Sequence, residues 1–329
     1  MGSLLIHGLQ AALVLVTGIF TFVLGRDIKR NKHRISKANF FGLGAISGFT
    51  MFFDALGIGS YGPQTSLFKL FKLVPDKYIP GTLNTISVIP CAVETFLFIT
   101  IIEVDPITLI SLIVAAAVGA RFGAGIVSKL PERAIQLSMA IALIIVAFTM
   151  FAGIVGWMPA GGEATGLAGW KLIVAIVLNI FLGACSAIGI GCYAPMMAMV
   201  YALGMSPRVA FPIMMGSYAF LMPAAGIKFI KEGAYDIKAN LAGQLFGTIG
   251  VVIAVLLVKE LPIDILRWIV IAVLLYTSVV MFRSAHKSKK AQLEAENIAL
   301  EAEKKDALDA DTATETLDTN LAVEKSAAE

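Results

Sequence analysis

The chain has 329 residues, 58% of them hydrophobic and 15% charged, with a mean hydropathy of +0.84. That balance excludes a soluble globular domain, and apolar runs long enough to cross a roughly 30 Å hydrocarbon core recur throughout, so the class is an all-α polytopic membrane protein. The net charge of +3 says little as a sum, because Lys and Arg cluster between Arg26 and Lys37 while the tail is acidic, and nothing in this pattern calls for a nucleic-acid partner.

The first element, residues 1–38, reads as one membrane helix over Leu4 to Gly25 followed by a basic loop. The loop lies after the apolar run, the reverse of a cleaved signal peptide, so the helix is expected to be retained. Residues 39–156 then hold a long segment from Asn39 to Val74 and helices at about Tyr78 to Ile102, Pro106 to Leu130 and Ala134 to Val155. A linker, 157–169, has one Glu and no Lys or Arg. Residues 170–284 repeat the order, with a long segment from Trp170 to Gly204 and helices at about Val209 to Ile230, Ile237 to Val258 and Ile263 to Met281. The tail, 285–329, is Ala-rich and without aromatic residues, and reads as a short helix followed by disorder in the aqueous phase.

The two halves are copies. Gly57-Ile58-Gly59-Ser60-Tyr61-Gly62-Pro63 returns as Gly189-Ile190-Gly191-Cys192-Tyr193-Ala194-Pro195, a shift of 189 − 57 = 132 residues. Pro75 and Pro80 meet Pro207 and Pro212 at the same shift, and Asp105 and Pro131 meet Asp236 and Pro262 at 131. Residues of this kind punctuate structure, so their register reports duplication rather than shared hydrophobicity. Each long segment has about 35 residues, roughly 50 Å as one helix, and is therefore expected to be broken. The positive-inside rule puts the Arg26 to Lys37 loop and the tail in the cytoplasm and the N-terminus and linker outside. Each copy then crosses an odd number of times, which gives inverted repeats, each a re-entrant or broken helix plus three spans.

The break carries the functional expectation. Gly57 and Gly59 weaken the helix and Pro63 suits the first turn of a new one, so the chain should unwind and restart, aiming a helix N-terminus into a cavity where an anion is favoured. Close helix packing at small residues is the competing explanation. The candidate binding residues are Gly57, Gly59, Ser60, Tyr61 and Gln64 in the first break and Gly189, Gly191, Cys192 and Tyr193 in the second. Thr82, Asn84, Thr85 and Ser217 are polar residues in the following helices. Asp54, one turn before Gly57, aligns with Ser186 in the other copy and, with Glu94 and Arg121, is a candidate for charge balance or for coupling to a proton or sodium ion. No catalytic set, metal site or cofactor is expected: the three histidines lie near aqueous ends, no Walker motif occurs, and Asp54 has no second Asp for a protease dyad. The cysteines, Cys91, Cys185 and Cys192, lie in apolar segments, against a disulfide framework.

The Gly-rich breaks, the Pro80-Gly81-Thr82 run, and Gly119-Ala120-Arg121 leading to Leu130-Pro131-Glu132-Arg133 resemble the sulfite exporter TauE/SafE family over about Phe40 to Phe282. The chain departs from that family's Gly-x-Gly-Gly-Gly pattern at Ser60-Tyr61 and Cys192-Tyr193. The resemblance implies a bacterial-type inner-membrane permease whose partners are the bilayer and a small oxyanion such as sulfite, a sulfonate or a related carboxylate. Alternating access, an uncoupled anion channel, and an intramembrane enzyme or scaffold remain as readings of the same residues.

Overall fold

The computed structural model describes residues 3–98, 104–157, 159, 161–189, 191–257, 268, 271–272, 274–290 and 293. It divides into two compact units, Met1–Phe282 and Arg283–Glu329. Most of the expected tail, as well as Glu103 and Ile190, lies outside the described residues.

Helix α1 (Ser3–Arg30) and a 3-10 turn, Lys32–Arg34, lead to the first long segment. It folds as α2 (Phe40–Asp54), started by the Asn39 side chain accepting from the Phe41 and Gly42 amides, and α3 (Tyr61–Leu70). Between them Gly57 and Gly59 hold φ of +85° and +87°, a conformation open to glycine, and the chain unwinds as expected. The span expected over Tyr78 to Ile102 is instead two pieces, α4 (Ile79–Ile86) and α5 (Val88–Phe98). The cause is Pro90, which has no amide hydrogen to give the Ile86 carbonyl. The Gln244 side chain bridges the two pieces, accepting from the Ile89 amide at 2.9 Å and donating to the Thr85 carbonyl at 2.5 Å.

Next come α6 (Pro106–Val127) and α7 (Glu132–Ile154). The second copy follows as α8 (Gly169–Ala187), α9 (Tyr193–Ala202), α10 (Pro207–Glu232) and α11 (Ile237–Leu257). Gly189, the counterpart of Gly57, holds φ of +97°, and α9 matches α3 residue for residue at the shift of 132. Asp105 and Asp236 cap α6 and α11 in the same way, each accepting at 2.8 Å from the amide three residues on. Residues 274–290 are helical, beyond the expected end at Met281. Among the described residues there is no strand, only an isolated bridge between Ala164 and Met205. Among the described residues, six helices are long and apolar enough to cross a membrane: α1, α6, α7, α8, α10 and α11.

The copies pack on each other reciprocally. Helix α2 lies along α11, and its counterpart α8 lies along α6, the counterpart of α11. A Cβ on Gly250 would stand 2.1 Å from the Gly48 carbonyl oxygen, and a Cβ on its counterpart Gly119 would stand 1.9 Å from that of Ile180, the counterpart of Gly48. Backbone therefore meets backbone at both places, the close approach that small residues allow in membranes. At one end of the unit the basic loop closes on the turn between α10 and α11. The Arg34 guanidinium donates to the Gly233 carbonyl, Ser36 Oγ to Asp236 at 3.2 Å, and Lys238 Nζ to the Ala38 carbonyl at 2.9 Å. In another connection the linker ties to the end of α9 and the start of α6. Gly162 N donates to the Met205 carbonyl at 3.0 Å, Ser206 N to that of Ala164 at 2.8 Å, and Asp105 N to that of Thr165 at 2.9 Å. Lys171 near the start of α8 donates to the Leu203 carbonyl just past α9 at 3.0 Å, so this hairpin returns to where it began.

The glycine contacts set a stability expectation. Gly119→Val and Gly250→Val are each expected to lower stability by about 1–3 kcal/mol through overpacking. Gly153→Ala, where a Cβ meets nothing within 4 Å, is expected to hold or gain slightly, read by thermal unfolding in detergent.

Candidate functional site

The two breaks open on one cavity of about 250 Å³. Gly57, Ile58, Gly59, Tyr61, Gly62 and Pro63 line it from the first copy and Gly191, Tyr193 and Ala194 from the second. The glycines keep it open reciprocally: a Cβ on Gly59 would stand 3.8 Å from the Tyr193 ring, and one on Gly191 would stand 3.9 Å from Tyr61 Cβ. Helix α7 closes the cavity with Val146, Thr149, Met150 and Gly153, while Met197 and Tyr201 extend it along α9. No lining residue is Lys, Arg or His.

Asp54 sits at the end of α2 and is 2% exposed. Its Oδ1 accepts from the Ser60 amide, and its Oδ2 accepts from the Tyr193 hydroxyl at 3.0 Å. In the second copy the corresponding amide, that of Cys192, donates to the Tyr218 hydroxyl at 2.5 Å. The expectation that the break amides stand free for a ligand is thus corrected in part. The amide of the residue just before each restarted helix, Ser60 or Cys192, is already used by a carboxylate or a phenol, because an unwound amide at this depth has no water to bond. The first-turn amides of Tyr61 and Gly62, and of Tyr193 and Ala194, remain without an intrahelical acceptor.

The tyrosines cross between copies. Tyr193 reaches Asp54 directly, whereas Tyr61 donates to Asn84 Oδ1 at 3.2 Å, and Asn84 Nδ2 donates to the carbonyl of Ser186, the counterpart of Asp54, at 3.1 Å. Asn84 also donates to the Pro80 carbonyl at 2.9 Å. Tyr218 stands edge-on to both rings, 4.5 Å from Tyr193 and 5.9 Å from Tyr61 between centroids.

On α5, Cys91 and Glu94 share the face turned to Asp54, and one donor atom from each of the three residues lies within 4.8 Å of the others. Asp54 and Glu94 are both buried, and two like charges this close in a low dielectric require a shared proton or a cation between them. The thiol Sγ is 3.9 Å from Asp54 Oδ2, and Cys91, Cys185 and Cys192 are free thiols.

The remaining candidates divide. Gln64 is wholly buried, with neither amide atom bonded among the described residues, and Ser60 Oγ is likewise without a partner there. Thr82 accepts from the Asp236 amide at 3.0 Å, Thr85 donates to the Gly81 carbonyl at 2.9 Å, and Ser217 accepts from Asn179 at 3.4 Å. These three join helices or backbone and do not line the cavity. Arg121 is exposed on α6 and lines an outward groove with Val118, Phe122 and Phe220, so the expected pairing with either acid is not formed. Cys91 and the α7 wall were not among the expected site residues. The spacing of three between Cys91 and Glu94 was available as a signal, since it puts both on one helical face. The α7 wall carries no motif.

Removing the Asn84 side chain strands the buried Tyr61 hydroxyl and takes one donor from the Ser186 carbonyl, which keeps the Gly189 amide at 2.9 Å. Asn84→Ala is therefore expected to cost about 1–3 kcal/mol in thermal unfolding. Arg121→Ala is expected to leave stability unchanged.

The family model described as Sulfite exporter TauE/SafE matches residues 2–150 and 151–308. Comparison with curated proteins and with solved structures gives no match. With nearly the whole sequence matched and six helices able to cross a bilayer, the chain belongs to the sulfite exporter TauE/SafE family of multi-pass membrane transport proteins.

Proposed function

We propose that this protein is a secondary transporter of a small oxyanion, such as sulfite or a sulfonate, and that the cavity between the two breaks is its binding site. The observation that carries this reading is that both breaks, one from each copy, face the same cavity with a buried acid pair beside it. The export direction rests on the family description.

Without a cationic side chain in the lining, an anion there depends on the N-terminal amides and partial positive charge of α3 and α9, because the Tyr61 and Tyr193 hydroxyl hydrogens are already given to Asn84 and Asp54. An ionised Asp54 would repel it. Anion entry therefore favours a state in which Asp54 and Glu94 hold a proton or a sodium ion, and this links the two occupancies through electrostatics. The Tyr193 bond makes the link conformational as well, since neutralising Asp54 weakens a hydrogen bond that joins the first copy to the second. The reciprocal packing of α2 on α11 and α8 on α6 supports two inverted units that rock about the cavity, with hairpins entering from opposite faces. Under that arrangement the N-terminus is outside and the tail is in the cytoplasm, as in a bacterial inner membrane.

Proteoliposomes loaded with sulfite test the reading. Wild-type flux is expected to respond to an imposed proton or sodium gradient. Asp54→Asn and Glu94→Gln are each expected to reduce gradient-driven flux about tenfold or more, the scale of one charge-assisted hydrogen bond. Gradient-independent flux that neither substitution alters would replace the transporter with an uncoupled anion pore. The absence of flux or binding across sulfite, sulfate, thiosulfate, sulfonates and short carboxylates would refute both.

A further inference from the structure

A second cavity, of about 360 Å³, lies between α1 and α10. Phe22, Val23 and Ile230 form an apolar wall, and Arg26, Arg30 and Lys231 contribute three cations. Phe22, Arg26 and Arg30 are spaced by four, so they follow one another along a single stripe of α1. Phe22 is 70% exposed, which puts an open apolar surface directly beside the guanidinium groups.

The lining also contains Asp27, and its carboxylate is occupied. Tyr235 Oη donates to Asp27 Oδ2 at 2.7 Å, and Asn31 Nδ2 donates to Oδ1 at 2.8 Å. Burial, followed by the bond to Asp27, pushes the Tyr235 hydroxyl well above its ordinary value, so it stays a neutral donor. Among the described residues no carboxylate lies at ion-pair distance from Arg26, Arg30 or Lys231. Three cations against one engaged carboxylate leave the pocket positive, with cationic groups available for an anion.

A free inorganic anion would use the cations and leave the apolar wall uncovered. A ligand with a phosphate head and a hydrocarbon chain satisfies both, and one supplied by the membrane would reach the site alongside α1. We propose that this cavity binds one anionic phospholipid, its phosphate held by Arg26, Arg30 and Lys231 and an acyl chain laid against Phe22, Val23 and Ile230. The lipid then bridges α1 to α10, coupling the helix outside the duplicated units to the second copy. Basic clusters at the end of a membrane helix attract anionic headgroups on general electrostatic grounds, and the apolar wall adds selectivity for a lipid over a free ion.

The full chain, purified in neutral detergent, would be examined by native mass spectrometry and thermal unfolding with phosphatidylglycerol, phosphatidylcholine or inorganic phosphate. Phosphatidylglycerol is expected to be retained and to raise Tm, with no comparable effect of the other two. The Arg26→Gln, Arg30→Gln, Lys231→Gln triple variant is expected to lose about a hundredfold in phosphatidylglycerol affinity, and each single substitution about fivefold. The single variants decide the matter if the triple variant does not fold. Replacing Lys29, Lys32 and Lys37 by Gln removes the same charge outside the cavity and is expected to leave retention nearly intact. Unchanged retention in the pocket variants, equal loss in the control set, or equal stabilisation by phosphatidylcholine or phosphate would overturn the proposal.

Discussion

An unwound backbone inside a bilayer must find its hydrogen bonds within the protein, and the rest of this structure follows from how that demand is met. The chain opens twice, at Gly57 to Ser60 and at Gly189 to Cys192, and each opening exposes an amide that a helix would have hidden. Asp54 accepts the first of these and Tyr218 the second. Because Asp54 also accepts from Tyr193, the group that satisfies one break is bonded to the helix that begins at the other. The breaks therefore hold each other open, and the cavity between them comes with the solution.

Reciprocity and asymmetry have different sources. The packing is reciprocal because it rests on backbone approach at Gly48 and Gly250, and at Ile180 and Gly119, positions that duplication preserved. The chemistry is asymmetric because single side chains diverged. Where the first copy has Asp54, the second has Ser186, whose carbonyl rather than its hydroxyl meets Asn84. The two carboxylates beside the cavity, Asp54 and Glu94, consequently both belong to the first copy, and an electrostatic signal there acts on one side of a nearly two-fold arrangement.

Much of the fold could be read from sequence because it depends on residues with few conformational uses. Gly57 and Gly189 mark left-handed turns, and Asp105 and Asp236 mark helix starts, which is how the duplication became visible. The division of the expected Tyr78 to Ile102 span at Ser87 was less apparent, since Pro90 breaks that helix while Pro212 and Pro223 lie inside an unbroken α10. The division at Ser87 leaves the Thr85 carbonyl and the Ile89 amide to a side chain far away in sequence, that of Gln244, 155 residues from Ile89. The site was legible where the motif itself forms the wall, at Gly57, Gly59, Tyr61, Gly191 and Tyr193. It was not legible where long-range packing decides. Thr82 and Arg121 have suitable chemistry but are turned to the α11 cap and to the exterior, whereas Gly153 and Thr149 line the cavity through the placement of α7 alone.

The central claim is that a small anion occupies the cavity shared by the two breaks. Gly153 offers the most direct test, because it lines the cavity from a regular helix and a Cβ there meets nothing within 4 Å. Equilibrium binding of sulfite should be compared in wild type and Gly153→Leu, with thermal unfolding as the control for folding. The account predicts a folded variant that has lost sulfite binding. A folded variant that binds sulfite as wild type does would contradict it.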